Sequence, residues 1–287
     1  MHVFVTGGTG LIGSAVVAEL LGNGHTVLAL ARSDASAMAL KSAGAEPLRG
    51  DLADLDALRS GAAQADGVIH LAFGNDFSSP DALGQAVAEE GAALAVLGKG
   101  LLDSDRPLVT VSGTPPMPGR VSTETDPSPT DGPVGGRSRS VIAVLDLASR
   151  GVRSSAVRMP RTVHNQGKGG FAGMLTEIAR RTGVSGYPGD GTQRWPAVHA
   201  LDAAVLFRLA LELAPAGTSW HAVADEGDAY GTSPQSSAGG SNYQSRRCHR
   251  KPTAPSAPSS PPISPPPVPT HGRRSAGSRR TRASSRT

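Results

Sequence analysis

The chain has 287 residues, enough for one large domain or two small ones. Its net charge of +4 conceals a division: residues 231–287 carry ten Lys and Arg and no Asp or Glu, a formal +10, which leaves −6 for residues 1–230. The basicity belongs to the tail and is no argument for nucleic-acid binding. The single cysteine, Cys248, excludes an intrachain disulfide, and no apolar run is long enough to span a bilayer. No secretory leader precedes the first apolar run, so the expectation is a cytoplasmic protein with a small-molecule substrate and no membrane, nucleic-acid or metal partner.

Residues 1–230 read as strands alternating with helices. His2–Thr6 is a short apolar strand, and Leu11–Leu21 has helical apolar spacing closed by Gly22 and Gly24. Thr26–Ala31 is a second strand and Pro47–Arg49 a short third. Val68–Phe73 is a fourth and Pro107–Ser112 a fifth, with helices at Ser36–Ala43, Leu55–Ala63 and Ala82–Leu102 between them. Such alternation implies parallel strands joined by right-handed crossovers. Pro115–Gly136 is dense in Pro, Gly, Ser and Thr and reads as a loop over the sheet's carboxyl edge. Val141–Ser149 is helical, Ser154–Met159 a sixth strand, Gly170–Arg181 and Leu201–Leu213 are helices, and His221–Val223 is a last short strand. From Gly231 onward the chain is low in complexity, has no Leu, Phe, Met or Trp, and is expected to be disordered.

Thr6-Gly7-Gly8-Thr9-Gly10-Leu11-Ile12-Gly13 joins strand one to helix one. Gly7 permits a tight turn, Gly10 leaves room for a pyrophosphate against the backbone, and Gly13 lets the helix pack close to the strand. The helix start offers free N–H groups and positive dipole to the phosphates. The Gly-x-x-Gly-x-x-Gly spacing resembles the short-chain dehydrogenase/reductase superfamily, in its extended or atypical branch of NAD-dependent epimerases and dehydratases. That resemblance covers about residues 1–230. It implies an α/β Rossmann-like doubly wound parallel sheet, with substrate-side segments from about residue 160 and a small, truncated C-terminal part.

Several further residues take meaning from the resemblance. Strand two ends at Arg32-Ser33, where NAD-preferring members usually place a carboxylate. Arg32 would meet a 2′-phosphate, with Ser33 as an extra donor, so NADP is favoured and NAD is the other candidate; a solvated surface arginine is the alternative reading of Arg32. Asp51-Leu52 matches the position that contacts the adenine amino group, and Asp51 suits a helix N-cap equally well. Leu71-Ala72-Phe73, after His70, matches the backbone that passes under the adenine ribose, or is simply a buried strand end.

The superfamily's chemistry commonly uses a Ser or Thr after strand five with a Tyr-x-x-x-Lys pair. Ser112 and Thr114 match the first requirement, and both also suit local capping of a loop entry. The pair is absent: Tyr187, Tyr230 and Tyr243 have no Lys four residues on, and the expected slot near Gly135–Ser140 holds no phenol. Arg158-Met159-Pro160 leads a loop that the resemblance runs along the nicotinamide, with Pro160 at the cofactor. His164 on that loop is either a polar loop residue or a substitute proton donor. Arg194 and Trp195 would face the cleft, whereas His199 and Asp202 read as structural, with Asp202 capping the next helix. Two functions remain open. One is an NADP-dependent oxidoreductase passing hydride between nicotinamide and a small carbonyl or alcohol. The other is a non-catalytic NADP-binding sensor. A homodimer through the long helices is compatible with either.

The tail also reads as a shifted frame. Ser275–Thr287 can be encoded so that, one base earlier, it yields Leu-Gly-Trp-Gln-Pro-Thr-His-Pro-Gly-Leu-Ile-Ala-Asp, which resembles the closing segment of extended-branch proteins. The same shift from Gly231 allows Arg-Asp-Ile-Ala-x-Val-Ile-Gly-Arg-x-Leu-x-Leu-Pro-Val, an amphipathic helix and strand, if one C is missing after the Tyr230 codon.

Overall fold

The computed structural model describes residues 1–74, 76, 78–165, 168–188, 194–227 and 244–248. The first half alternates strictly: β1 (His2–Thr6), α1 (Leu11–Gly22), β2 (Thr26–Ala31), α2 (Asp34–Ser42), β3 (Glu46–Arg49) and α3 (Leu55–Gln64). Then come β4 (Gly67–His70), α4 (Pro80–Lys99), β5 (Pro107–Gly113), α5 (Gly135–Asp146) and β6 (Arg153–Met159). The later elements are β7 (Thr162–Asn165), β8 (Lys168–Gly169), α6 (Gly170–Thr182), β9 (Val184–Pro188), β10 (Ala197–His199), α7 (Ala200–Leu213), β11 (Thr218–His221) and β12 (Gln244–Cys248).

Seven strands form one parallel sheet in the order β11-β6-β5-β4-β1-β2-β3. The chain winds outward from β1 to β3, then returns to place β4 on the other side of β1. That reversal opens a crevice outside the carboxyl ends of β1 and β4, the place where doubly wound sheets bind ligands. Alternation within β1 feeds two cores. Val3 and Val5 pack with Val16 and Leu20 of α1 and Phe207 and Leu211 of α7. Phe4 packs on the opposite face with Leu58 of α3 and Leu94 and Leu97 of α4.

Helix starts follow local chemistry. Ser33 and Ser36 make a reciprocal capping box on α2, Asp54 accepts from the Ala57 N–H at the start of α3, and Ser79 precedes Pro80 on α4. Asp51, for which a helix cap was the alternative to an adenine contact, accepts from the Ala53 and Asp54 amides (3.0 and 3.1 Å) in the turn before α3, and the N-cap is Asp54. His199 rather than Asp202 caps α7, its Nδ1 accepting from the Leu201 N–H at 3.2 Å.

Other expectations shift. The fourth strand stops at His70; the Leu71 amide is shared between the Thr6 carbonyl and Thr6 Oγ1 (3.2 Å each), and the Ala72 amide donates to Thr6 Oγ1 (3.3 Å). α5 starts at Gly135, six residues before the expected Val141, and the last sheet strand is Thr218–His221 rather than His221–Val223. β7, β8 and β10 form a small separate sheet that the sequence did not announce. The tail, expected to carry no structure, contains β12, paired in parallel with β9. Residues 228–243 and 249–287 lie outside the described residues, and so does the rest of that expectation.

Candidate cofactor and active site

The Gly7–Gly13 turn is built from two different kinds of glycine. Gly7 has φ +75°, and a Cβ there would stand 2.7 Å from the Ala72 nitrogen, so the turn seats directly on the strand-four exit. A Cβ on Gly13 would overlap the Gly7 carbonyl. These two are required by the protein's own packing. Gly10 is not: its φ is −75°, and a Cβ would meet only the Gly7 oxygen at 3.4 Å, an ordinary contact. Gly10 is also the N-cap of α1, with no side chain capping the first-turn amides of Leu11, Ile12 and Gly13. Thr9 and Gly10 are exposed, and Leu11 and Ile12 half-buried. The result is a turn with an open face, bare N–H groups and the positive end of a helix, which fits a dinucleotide's diphosphate.

Just past the carboxyl end of β2, Arg32 is exposed and makes no ion pair among the described residues. Ser33 is not a spare donor, since its hydroxyl donates to Ser36 Oγ (3.1 Å) and accepts from the Ser36 amide (3.2 Å). The sequence reading missed a second cation: Arg49 of β3 lies in register with Ala31 and pairs with Asp34 at 2.9 Å. Leu52 is part of the hydrophobic core beside Leu28 and Leu30.

On the chemical side, Ser112 and Gly113 lie in register with Arg158 and Met159, and the Thr114 amide donates to the Met159 carbonyl at 3.0 Å. The ends of β5 and β6, with buried Pro160, thus come together beside the crevice. Neither the Ser112 nor the Thr114 hydroxyl is engaged by a described residue. His164 lies on β7, exposed, with its ring edge-on to His199 at 5.2 Å between centroids. Val163 beside it is buried in the core that also holds α1.

The stretch Gly135–Ser140, where the phenol was expected, holds no tyrosine. A Cβ on Gly135 would overlap the Thr130 carbonyl, so no larger side chain fits there without moving the loop. Two residues on, Arg137 donates from Nε and Nη2 to both oxygens of buried Glu90, each at 2.7 Å. Its guanidinium lies 4.0 Å over the centre of the Phe73 ring. Below them His70 is fully buried. Its Nδ1 is 2.9 Å from Thr6 Oγ1, and Nε2 has no partner among the described residues. Burial, with a smaller push from Arg137, lowers its pKa to about 3, so the imidazole is neutral at physiological pH. Glu90 and Arg137 were legible in principle: a carboxylate in the Ala86, Glu90, Ala93, Leu97 spacing of a buried helix face needs a cation opposite.

The Pro-rich segment after β5 is tied down. Arg158 Nη1 donates to the carbonyls of Glu124 (3.1 Å) and Asp126 (2.9 Å), and the His221 amide donates to Glu124 Oε1 (3.3 Å). The Asp126 carboxylate is held by Arg120 and by the Thr123 amide (2.7 Å), which keep its pKa well below the usual carboxylate range. Among the described residues, no cluster of three or more His, Cys, Asp or Glu is placed to hold a metal, and no helix is long and apolar enough to cross a membrane.

Residues 3–222 match the NAD dependent epimerase/dehydratase family. The chain belongs to this family. An uncharacterized protein of Schizosaccharomyces pombe is 44% identical over 227 residues, 79% of this chain and 76% of that protein. A 2-alkyl-3-oxoalkanoate reductase of Stenotrophomonas maltophilia is 31% identical over 225 residues, 75% of this chain and 67% of the reductase. Among solved structures, the dTDP-glucose 4,6-dehydratase DesIV of Streptomyces venezuelae superposes with a TM-score of 0.72 at 19% identity, covering 86% of this chain and 84% of that one. That likeness is one of fold, and it confirms the Rossmann-like sheet. This chain carries the glycine turn between β1 and α1, Ser112 in β5 with Thr114 just after it, and Gly135 and Arg137 at the start of α5.

Proposed function

We propose that this family member is an NADP-dependent oxidoreductase acting on a small carbonyl or alcohol. The observation that carries the reading is Gly10. The fold tolerates a side chain there, yet the position is open, exposed and beside uncapped amides, as a bound diphosphate requires. Arg32, with no carboxylate partner among the described residues, supports the 2′-phosphate of NADP over NAD. DesIV was solved with NAD, and the Stenotrophomonas relative is a 2-alkyl-3-oxoalkanoate reductase, which supports both the cofactor class and a carbonyl substrate.

Bound nicotinamide supplies or accepts the hydride. The chain's own residues bind, orient and polarise: Leu11–Gly13 amides take the diphosphate, and the Ser112 and Thr114 hydroxyls donate to the substrate oxygen. His164 is the candidate proton donor. His70, neutral and buried, holds the crevice floor and donates no proton at neutral pH. Titration of the full chain with NADPH and NADH, followed by NADPH oxidation against a panel of small ketones and aldehydes, tests this. Tighter NADPH binding and turnover of at least one carbonyl are expected; absence of nicotinamide binding overturns the reading.

The absence of a Tyr-x-x-x-Lys pair favours a second reading, a dinucleotide sensor without turnover. NADPH binding with no oxidation across the whole panel selects it.

A further inference from the structure

Two exposed arginines stand at the ends of neighbouring strands. Ala31 of β2 lies in register with Arg49 of β3, and the Gly50 amide donates to the Ala31 carbonyl at 3.2 Å, so the two strand ends are tied together. Paired strands run about 4.8 Å apart. Arg32 follows Ala31 directly and makes no ion pair among the described residues.

Arg49 already holds an anion. Its Nη2 lies 2.9 Å from Asp34 Oδ1, in the first turn of α2. This pair is a poor support for the fold. The arginine side chain is 54% exposed and the carboxylate 93%, and ion pairs this open to water contribute little. What the contact does show is reach: from the end of β3, the guanidinium grips an oxyanion carried by the residue two places after Arg32. Asp34 also faces the positive end of its own helix, so it keeps a favourable field when Arg49 leaves it.

The chemistry of the ligand decides what Arg49 would leave for. In a doubly wound sheet the dinucleotide is seated on the glycine turn after the first strand, and its adenosine ribose meets the end of the second. A phosphate monoester on that ribose carries about −1.5 to −2 charges at pH 7 and three acceptor oxygens. A single guanidinium matches neither the charge nor the oxygens, whereas two planar forks on adjacent strand ends match both. A ribose with a free 2′-hydroxyl brings no charge that could displace a carboxylate.

We propose that Arg49 joins Arg32 on the 2′-phosphate of NADP, and that Asp34 is an internal competitor that holds Arg49 until this phosphate displaces it. The inference rests on the cofactor reading above and adds to it a second phosphate contact and a residue that limits NADPH affinity. NADPH and NADH are titrated by calorimetry into the wild-type chain, Arg49→Ala, Asp34→Asn and the double variant. Arg49→Ala is expected to raise the Kd for NADPH about tenfold and to leave that for NADH within about twofold. Asp34→Asn is expected to tighten NADPH about two- to fivefold, the strength of an exposed ion pair, and to bring no gain once Arg49 is Ala. Both side chains are exposed, and melting curves verify that each variant folds. NADPH affinity that Arg49→Ala leaves unchanged overturns the proposal while the cofactor reading stands, with Arg32 as the phosphate contact. A gain from Asp34→Asn that persists without Arg49 also overturns it, because the carboxylate then acts only through its field. So does a loss of NADH affinity in Asp34→Asn, which makes Asp34 a ribose ligand. Binding of neither nucleotide by the wild type removes the cofactor reading and the proposal together.

Discussion

Replacing Gly10 with Ala should separate ligand binding from folding. The backbone at Gly10 (φ −75°, ψ 176°) suits any residue, and the added Cβ meets only the Gly7 oxygen at an ordinary 3.4 Å. The stability cost is the preference of an N-cap for Gly over Ala, about 1 kcal/mol. For a chain of this size that lowers Tm by about 2–4 °C. The cofactor side is different, because the methyl occupies the closest approach of the diphosphate to the α1 amides. Losing one charge-assisted hydrogen bond there costs about 1.5–3 kcal/mol, or roughly a ten- to hundredfold rise in Kd for NADPH. Gly13→Ala is the contrast. Its Cβ collides with Gly7 backbone, so folding and binding fall together. NADPH fluorescence titration and calorimetric melting of both variants give the comparison. A Gly10→Ala protein with wild-type Kd, or one that melts as early as Gly13→Ala, refutes the argument.

Arg32→Ala should raise the Kd for NADPH by about one to two decades while leaving NADH nearly unchanged; equal affinities in the wild type would sink the 2′-phosphate assignment. His70 makes stability fall with acid. Its folded pKa of about 3 lies below the ordinary value near 6.5, so the contribution is intact above about pH 6.5 and is lost as pH drops toward 3. About 2 kcal/mol should be gone by pH 5, and urea denaturation of His70→Asn should show a flatter pH dependence than wild type; identical slopes count against it. If a carbonyl substrate is found, Thr114→Ala should cut kcat/KM by about tenfold or more, and His164→Ala should slow the proton-dependent step; full activity in both variants moves the active site elsewhere.

Much of the fold was legible because its signals are local. The apolar runs at His2–Thr6 and Thr26–Ala31, and the glycine turn between strand and helix, each carry their own periodicity or backbone demand. The small strands β7, β8 and β10 were not, since two to four residues hold too little pattern and their pairing is made by distant partners. α5 was placed late because Gly135-Gly136 is a poor helix opening; the Arg137–Glu90 pair, 47 residues apart in sequence, fixes it instead. The cofactor loop was read from spacing alone. The charged pair beside the crevice, the neutral His70 and the Arg49–Asp34 contact depend on packing across helices and strands, and only coordinates supply that.

The Arg158 clamp gives the crevice a wall where many loop-covered sites have a lid. A segment of Pro, Gly and Ser would ordinarily sample many shapes, but here two of its carbonyls are fastened to one guanidinium on a central strand and its Glu124 side chain to the edge strand. That side of the crevice is therefore held in one contour by these contacts. Release of that wall runs through the Arg158 contacts. The same economy makes Arg158 a single point of control: freeing one side chain would turn the wall into a moving flap without altering a residue that the substrate touches.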